Sequence, residues 1–225
     1  MMNIAFLDRH RLWFPDPGQF GTNDIVAVGG DLRPARLLYN YYRGSFPWSG
    51  PGDPLLWWHP RKRMILRPEE VHIGKTSRNL LNRNEFQFTF DQAFREVIDA
   101  CRSIPREGQE GTWITEDLRR SFLELHRAGY AHSAEVWQAE ELVGGLYGLQ
   151  IGKVFCGESM FSHSSNASKL GFIKWCQYLA QGACRLIDCQ VHTDYLASLG
   201  AYEVDRENFL DLLYEHRGNP PALNQ

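Results

Sequence analysis

The 225-residue chain has only five cysteines, Cys101, Cys156, Cys176, Cys184 and Cys189, and no two stand as C-x-x-C. An odd count with no framework excludes a disulfide scaffold and fits reduced thiols. No apolar run approaches the roughly 18 residues that a membrane span needs. Met1–Asp8 lacks a basic region followed by a long apolar stretch, so no signal peptide is expected. These absences point to the cytoplasm. Excess positive charge is also missing: 24 Lys and Arg face 27 Asp and Glu, a net charge of −3. That balance argues against bulk binding of a polyanion and leaves a local basic patch open.

Motifs for several chemistries are absent too. The eight histidines lack ligand spacing, and His126 and His132 have no cysteine partners, so no metal is expected. Ser159, Ser162, Ser164, Ser165 and Ser168 have no G-x-S-x-G context. There is no G-x-G-x-x-G and no phosphate loop, and Gly144-Gly145-Leu-Tyr-Gly148 lies mid-strand with no helix after it. Cys156 and Cys189 read as nucleophiles or, more simply, as small buried hydrophobes.

What is present is a composition of 43% hydrophobic and 23% charged residues, ordinary for a globular chain of one large domain or two unequal ones. Four of the seven tryptophans precede residue 60, three of them inside Phe46–Pro60, which is too rich in Pro and Gly for a regular element. The first 60 residues read as a small irregular module with one helix over Asp31–Gly44, Pro34 in its first turn and Gly44 as a left-handed stop. The composition changes after His59-Pro60, so residues 1–62 and 63–225 are expected as a small N-terminal domain and a larger one.

In the larger part, Lys62–Leu66 reads as a strand. Asp91 is expected to cap a helix with Phe94, Val97, Ile98 and Cys101 on its apolar face, and Thr115 another with Leu118, Phe122 and Leu125. Strands Ser133–Gln138, Glu141–Gln150 and Lys153–Phe161 form an antiparallel meander. A helix over Ala167–Gln181, a strand over Arg185–Val191, a short helix over Thr193–Leu199 and a last helix capped by Asp205 complete an α+β order. That order resembles the acetyltransferase-type (GNAT) fold: a mixed sheet with helices.

Four segments could carry chemistry. In Phe155–Lys169, an apolar run is interrupted by Glu158 and dissolves into hydroxyls before a helix. Burying an unpaired carboxylate is costly, so the pattern suggests a greasy pocket with one acidic group. Alternation along Leu186–Val191 puts Asp188 and Gln190 on one face, and Ile187 and Cys189 on the other. The plainer reading has Asp188 meeting a backbone N–H at the strand end. Trp113, within Gly111–Thr115, and Trp48 are core filler or flat faces for an adenine. Lys75, Arg78 and Arg83, with Arg61, Lys62, Arg63 and Arg67 upstream, make a loose basic strip, either solvated surface or a phosphate contact.

Taken together, Val28-Gly-Gly-Asp-Leu32, Arg43-Gly-Ser-Phe-Pro-Trp48, Leu56-Trp-Trp58, Gly111-Thr-Trp-Ile-Thr115, His132-Ser-Ala-Glu-Val-Trp137, Leu142–Gly148, Phe155–Ser162, Asn166–Lys169 and Leu186–Gln190 resemble bacterial leucyl/phenylalanyl-tRNA–protein transferases over about residues 5–215. The resemblance implies an enzyme of the N-degron pathway. It would move Leu or Phe, and less readily Met, from aminoacyl-tRNA to proteins that begin with Arg or Lys. It implies neither metal nor acetyl-CoA, and so no cofactor. By the same resemblance, Trp48 and Trp113 hold the terminal adenosine. Leu146, Phe155, Met160, Trp175 and Ile187 form the amino-acid pocket, and Glu158, Asp188 and Gln190 stand at the reacting centre. Gln190 is expected to orient the amine, Asp188 to polarise Gln190, and Glu158 to meet either the donor's amine or the acceptor. Backbone N–H groups near a Gly157–Ser162 bend are expected to hold the oxyanion. The rival readings are an acetyl-CoA-dependent acetyltransferase, which shares the fold guess but would need a Gly-rich pyrophosphate turn, and a non-catalytic tRNA-binding module.

Overall fold

The computed structural model describes residues 4–50, 52–105 and 111–221. The outer ends of the two expected domains, residues 1–3 and 222–225, lie outside them, as does the start of the segment read for a signal peptide. The described residues form a mixed α+β structure with two sheets and seven α-helices.

The first sheet holds β1 (Ala5–Leu7), β2 (Ile25–Gly29), β3 (Phe46–Pro47) and β4 (Leu56–Trp58), in the order β1-β2-β4-β3. The segment read as too irregular for an element thus supplies two short strands. Each is only two or three residues long. The helix α1 spans Pro34–Tyr41, shorter than expected at both ends. Asp31 does not cap it; its carboxylate pairs with Arg33 at 3.0 Å and Arg36 at 3.1 Å. Gly44 follows the helix at φ +85°, the left-handed stop expected of it.

The second sheet runs β11-β5-β10-β9-β8-β7-β6. Its strands are β5 (Lys62–Leu66), β6 (Gln87–Phe90), β7 (Ala131–Gln138), β8 (Glu141–Ile151), β9 (Val154–Ser162), β10 (Leu186–Gln190) and β11 (Tyr202–Asp205). The meander β7-β8-β9 is antiparallel, as expected, whereas β10 joins β9 in parallel. The helices are α2 (Lys75–Asn82), α3 (Phe94–Ser103), α4 (Glu116–Arg127), α5 (Ala167–Gln181), α6 (Asp194–Ala197) and α7 (Arg206–His216).

Three caps were expected, and one forms. The Thr115 hydroxyl accepts from the Leu118 N–H at 3.2 Å. Asp91 stands at φ +57° and turns its carboxylate to the Ser133 N–H and to His132 instead of capping α3. Asp205 occupies the cap position of α7 but bonds Lys62 at 2.8 Å.

Alternation along β8 splits the core. Tyr147 and Leu149 face one side with Val97, Ile98, Phe122 and Leu125; Leu146 faces the other with Phe172, Ile173 and Trp175 of α5. The first side also contains Phe46, Trp57 and Tyr41, so one continuous core joins the small sheet to the large one. Glycines set the close approaches. A Cβ at Gly144 would lie 2.7 Å from the Ala167 Cβ, so the glycine lets α5 seat on β8; one at Gly148 would lie 2.2 Å from the Cys156 carbonyl oxygen. The Gly-rich run of β8 is therefore a packing device.

Candidate active site

Two β-bulges on neighbouring strands build the reacting rim. In the β8–β9 pair the register passes from Gly148↔Gly157 to Tyr147↔Ser159, which leaves Glu158 with no partner on β8. In the β10–β5 pair it passes from Asp188↔Ile65 to Gln190↔Met64, which leaves Cys189 as the extra residue, with Gln190 at φ +66°. Bulges re-aim side chains, and these two aim theirs into one hollow. β9 and β10 pair only over Val154–Cys156 and Leu186–Asp188. Beyond that, the Nε2 of Gln190 donates to Oε1 of Glu158 at 2.8 Å and bridges the two strands.

The hollow is a cavity of about 660 Å³. Phe155, Leu146, Met160, Ile187 and Phe172 give it an apolar wall; Glu158 and Gln190 give it a polar one; Trp48 and Trp113 stand at its side and also border a second hollow of about 390 Å³. Trp48 leans on Trp58 at 5.3 Å between ring centroids and is 41% exposed, so its face is open to a ligand rather than sealed in the core.

Not every expected residue reaches this cavity. Asp188 does not line it. Alternation fails at the bulge, so Ile187, Cys189 and Gln190 all face the hollow while Asp188 is buried on the other side. Its carboxylate is gripped by Arg63, with Nε at 2.7 Å and Nη2 at 2.5 Å. Oδ1 also accepts the backbone N–H of Gln190 at 2.9 Å. The contact with Gln190 is therefore to its backbone, the plainer of the two readings. Trp175 does not line the cavity either. It packs behind Phe155 at 5.1 Å, and Phe172, one turn earlier on α5, takes the place at the wall. Lys75, Arg78 and Arg83 lie on and just after α2, exposed and outside the cavity lining. The Gly157–Ser162 segment is bulged strand rather than a bend.

Two residues escaped the sequence reading. Arg63, counted there in a surface basic stretch, is fully buried between the rings of Phe46 and Phe209, 4.7 and 4.4 Å from their centroids. Alternation within Lys62–Leu66 carried a hint, since a residue two before an apolar inward position faces the same way. Tyr41 donates its hydroxyl to Oε1 of Glu158 at 2.6 Å from 117 residues away, which no local pattern reveals.

The electrostatics follow from these partners. Glu158 has two neutral donors on Oε1, and Oε2 is buried with no partner among the described residues. Burial pushes its carboxyl up to about 8, against the lowering effect of Tyr41 and Gln190. Cys156 and Cys189 are pushed up by burial, so neither thiol is primed as a nucleophile. Among the described residues, no group of three His, Cys, Asp or Glu could hold a metal, and no helix is long and apolar enough to cross a membrane.

Comparison with known proteins gives one answer. Residues 65–214 match the family model of leucyl/phenylalanyl-tRNA protein transferase, and residues 30–61 match that of its N-terminal domain. The chain belongs to this family. It is 51% identical to the transferase of Teredinibacter turnerae, over 99% of this chain and 87% of that one. It is 47% identical to that of Aeromonas hydrophila, over 98% and 94%. For Christiangramia forsetii the figures are 53% identity over 89% and 95%. Among solved structures, the likeness to L-PGS from Bacillus licheniformis has a TM-score of 0.37 at 13% identity, covering 64% of this chain and 45% of that one, from which no fold family follows.

Proposed function

We propose that the cavity holds the aminoacyl end of a charged tRNA and that the bulged rim presents it to a protein N-terminus beginning with Arg or Lys. As a family member, the chain is a transferase that moves Leu or Phe from tRNA to a protein. The observation that carries the reading is the cavity itself: an apolar wall large enough for Leu or Phe, faced by one amide and one carboxyl. Burying such a side chain gains about 2–3 kcal/mol, whereas an unpaired charge is penalised. Leu, Phe and Met differ little in that gain, so the pocket accepts all three with modest discrimination.

The remaining roles follow. Trp48 and Trp113 stack on the terminal adenosine, worth about 1–3 kcal/mol per base. Gln190 orients the attacking amine. Asp188, held by Arg63, anchors the Gln190 backbone and acts through it. Lys75, Arg78 and Arg83 meet the acceptor stem. An α-amine titrates at about 7.7–8, so a fair fraction is neutral near pH 7 and a strong base is unnecessary. As its C–N bond forms, the ester C–O bond breaks and the amine's proton ends on the ribose oxygen. Ester aminolysis runs downhill, and alignment of the two ends supplies much of the rate. No cofactor enters the step. The site of action is the cytoplasm, where charged tRNA is made.

Two structural proposals accompany these roles. The chain divides near residue 62 into a small and a large domain, and the parting of β9 and β10 after Cys156 and Asp188 supports an acetyltransferase-like ancestry for the larger one. The test is transfer of labelled leucine from leucyl-tRNA to an Arg-initiated peptide. Labelled peptide is expected, with none when its α-amine is acetylated. Binding of the charged tRNA without transfer would favour a non-catalytic module instead.

A further inference from the structure

Tyr41 ends α1 in the small sheet's unit, yet its hydroxyl meets a side chain of the large sheet's cavity. It donates to Oε1 of Glu158 at 2.6 Å, and the same oxygen accepts from Nε2 of Gln190 at 2.8 Å. The ring is buried, and burial beside Glu158 pushes the phenol well up, so the tyrosine stays the donor. With Oε1 holding two donors, the Glu158 carboxyl cannot rotate without breaking both. A carboxyl so held fixes the sense of the glutamine amide: its NH₂ faces Glu158, and a flipped amide would oppose two acceptors. The carbonyl oxygen of Gln190 is then the atom left for a ligand, and Gln190 lines the cavity.

We propose that Tyr41 is a positioning residue for the transfer: through Glu158 it holds the Gln190 amide with its carbonyl oxygen turned to the attacking amine. The inference rests on the function proposed above and deepens it. Tyr41 touches neither donor nor acceptor in this arrangement. The small unit thus contributes twice, with Trp48 against the donor and with Tyr41 against the rim.

Tyr41→Phe removes one oxygen and keeps the buried ring. In the leucine-transfer assay its kcat falls about ten-fold, while KM for leucyl-tRNA moves by less than about two-fold. In a Gln190→Ala background the same substitution adds no further loss, because the hydroxyl acts only through that amide. An unchanged kcat, or an equal loss in both backgrounds, overturns the proposal. A second arm needs no transfer. In ¹H–¹⁵N spectra of the free protein, the side-chain amide signals of Gln190, assigned by their absence in Gln190→Ala, shift in Tyr41→Phe; unmoved signals overturn the proposal. A wild-type protein that transfers nothing would refute the assigned reaction, and the spectra would still decide the role of Tyr41.

Discussion

Arg63 and Arg78 come from the same short stretch of chain and live in opposite surroundings. Arg63 lies on β5 with no exposed surface, clamped between two rings and locked onto Asp188. Arg78 lies on α2 in solvent, and its guanidinium donates to the Ile73 carbonyl at 3.3 Å. In the interior a charge interacts strongly and is stable only with its partner; at the surface the same charge is screened and its worth depends on salt. In the proposed function the buried charges shape the reacting centre, and the exposed ones attract the polyanion at long range.

The largest effect tests the buried side. Arg63→Met strands the Asp188 carboxylate without its cation and is expected to cost about 3–5 kcal/mol in urea unfolding. Pairing it with Asp188→Leu should restore most of that stability while transfer stays lost, because Gln190 no longer has Oδ1 under its backbone. If the double variant transfers normally, the anchoring role of Asp188 is wrong.

Glu158 shows what burial does to a carboxyl whose bonded partners are neutral. Its carboxyl titrates at about 8 in the folded protein, against 4.5 when free. Between those values the folded state keeps a proton that the unfolded chain releases. The contribution of this group to stability is therefore full below about pH 4.5 and declines as pH rises to about 8, with a slope of up to about 1.4 kcal/mol per unit. Glu158→Gln should remove that slope, read by urea unfolding across the range. A slope that persists in the variant belongs to other groups.

Much of the scaffold was legible because it is written locally. The apolar faces of α3 and α4, the β7-β8-β9 meander and strand Lys62–Leu66 all follow from spacing within a dozen residues. The site was legible in its residue types and less so in its geometry. Strict alternation misplaced Asp188, since one bulged residue reverses every side chain after it. Helical spacing could not tell that Phe172 rather than Trp175 meets the cavity, because the face of α5 depends on how β8 receives it at Gly144. The partners Tyr41 and Arg63 lie 117 and 125 residues from the carboxylates they hold. No sequence window joins them.

The smallest effect tests the exposed side. Lys75 and Arg78 have no carboxylate partner among the described residues, while Arg83 has only Glu85 at 3.8 Å. Replacing Lys75 and Arg78 together by Ser should leave urea unfolding nearly unchanged, since exposed charges contribute little to stability. It should lower the slope of log K for tRNA against log salt by about 1.4–1.8, the release of two condensed counterions. A loss of affinity with the slope unchanged would mean that α2 shapes the tRNA site without neutralising phosphates, and the division between structural and attractive charge would then fail on its exposed side.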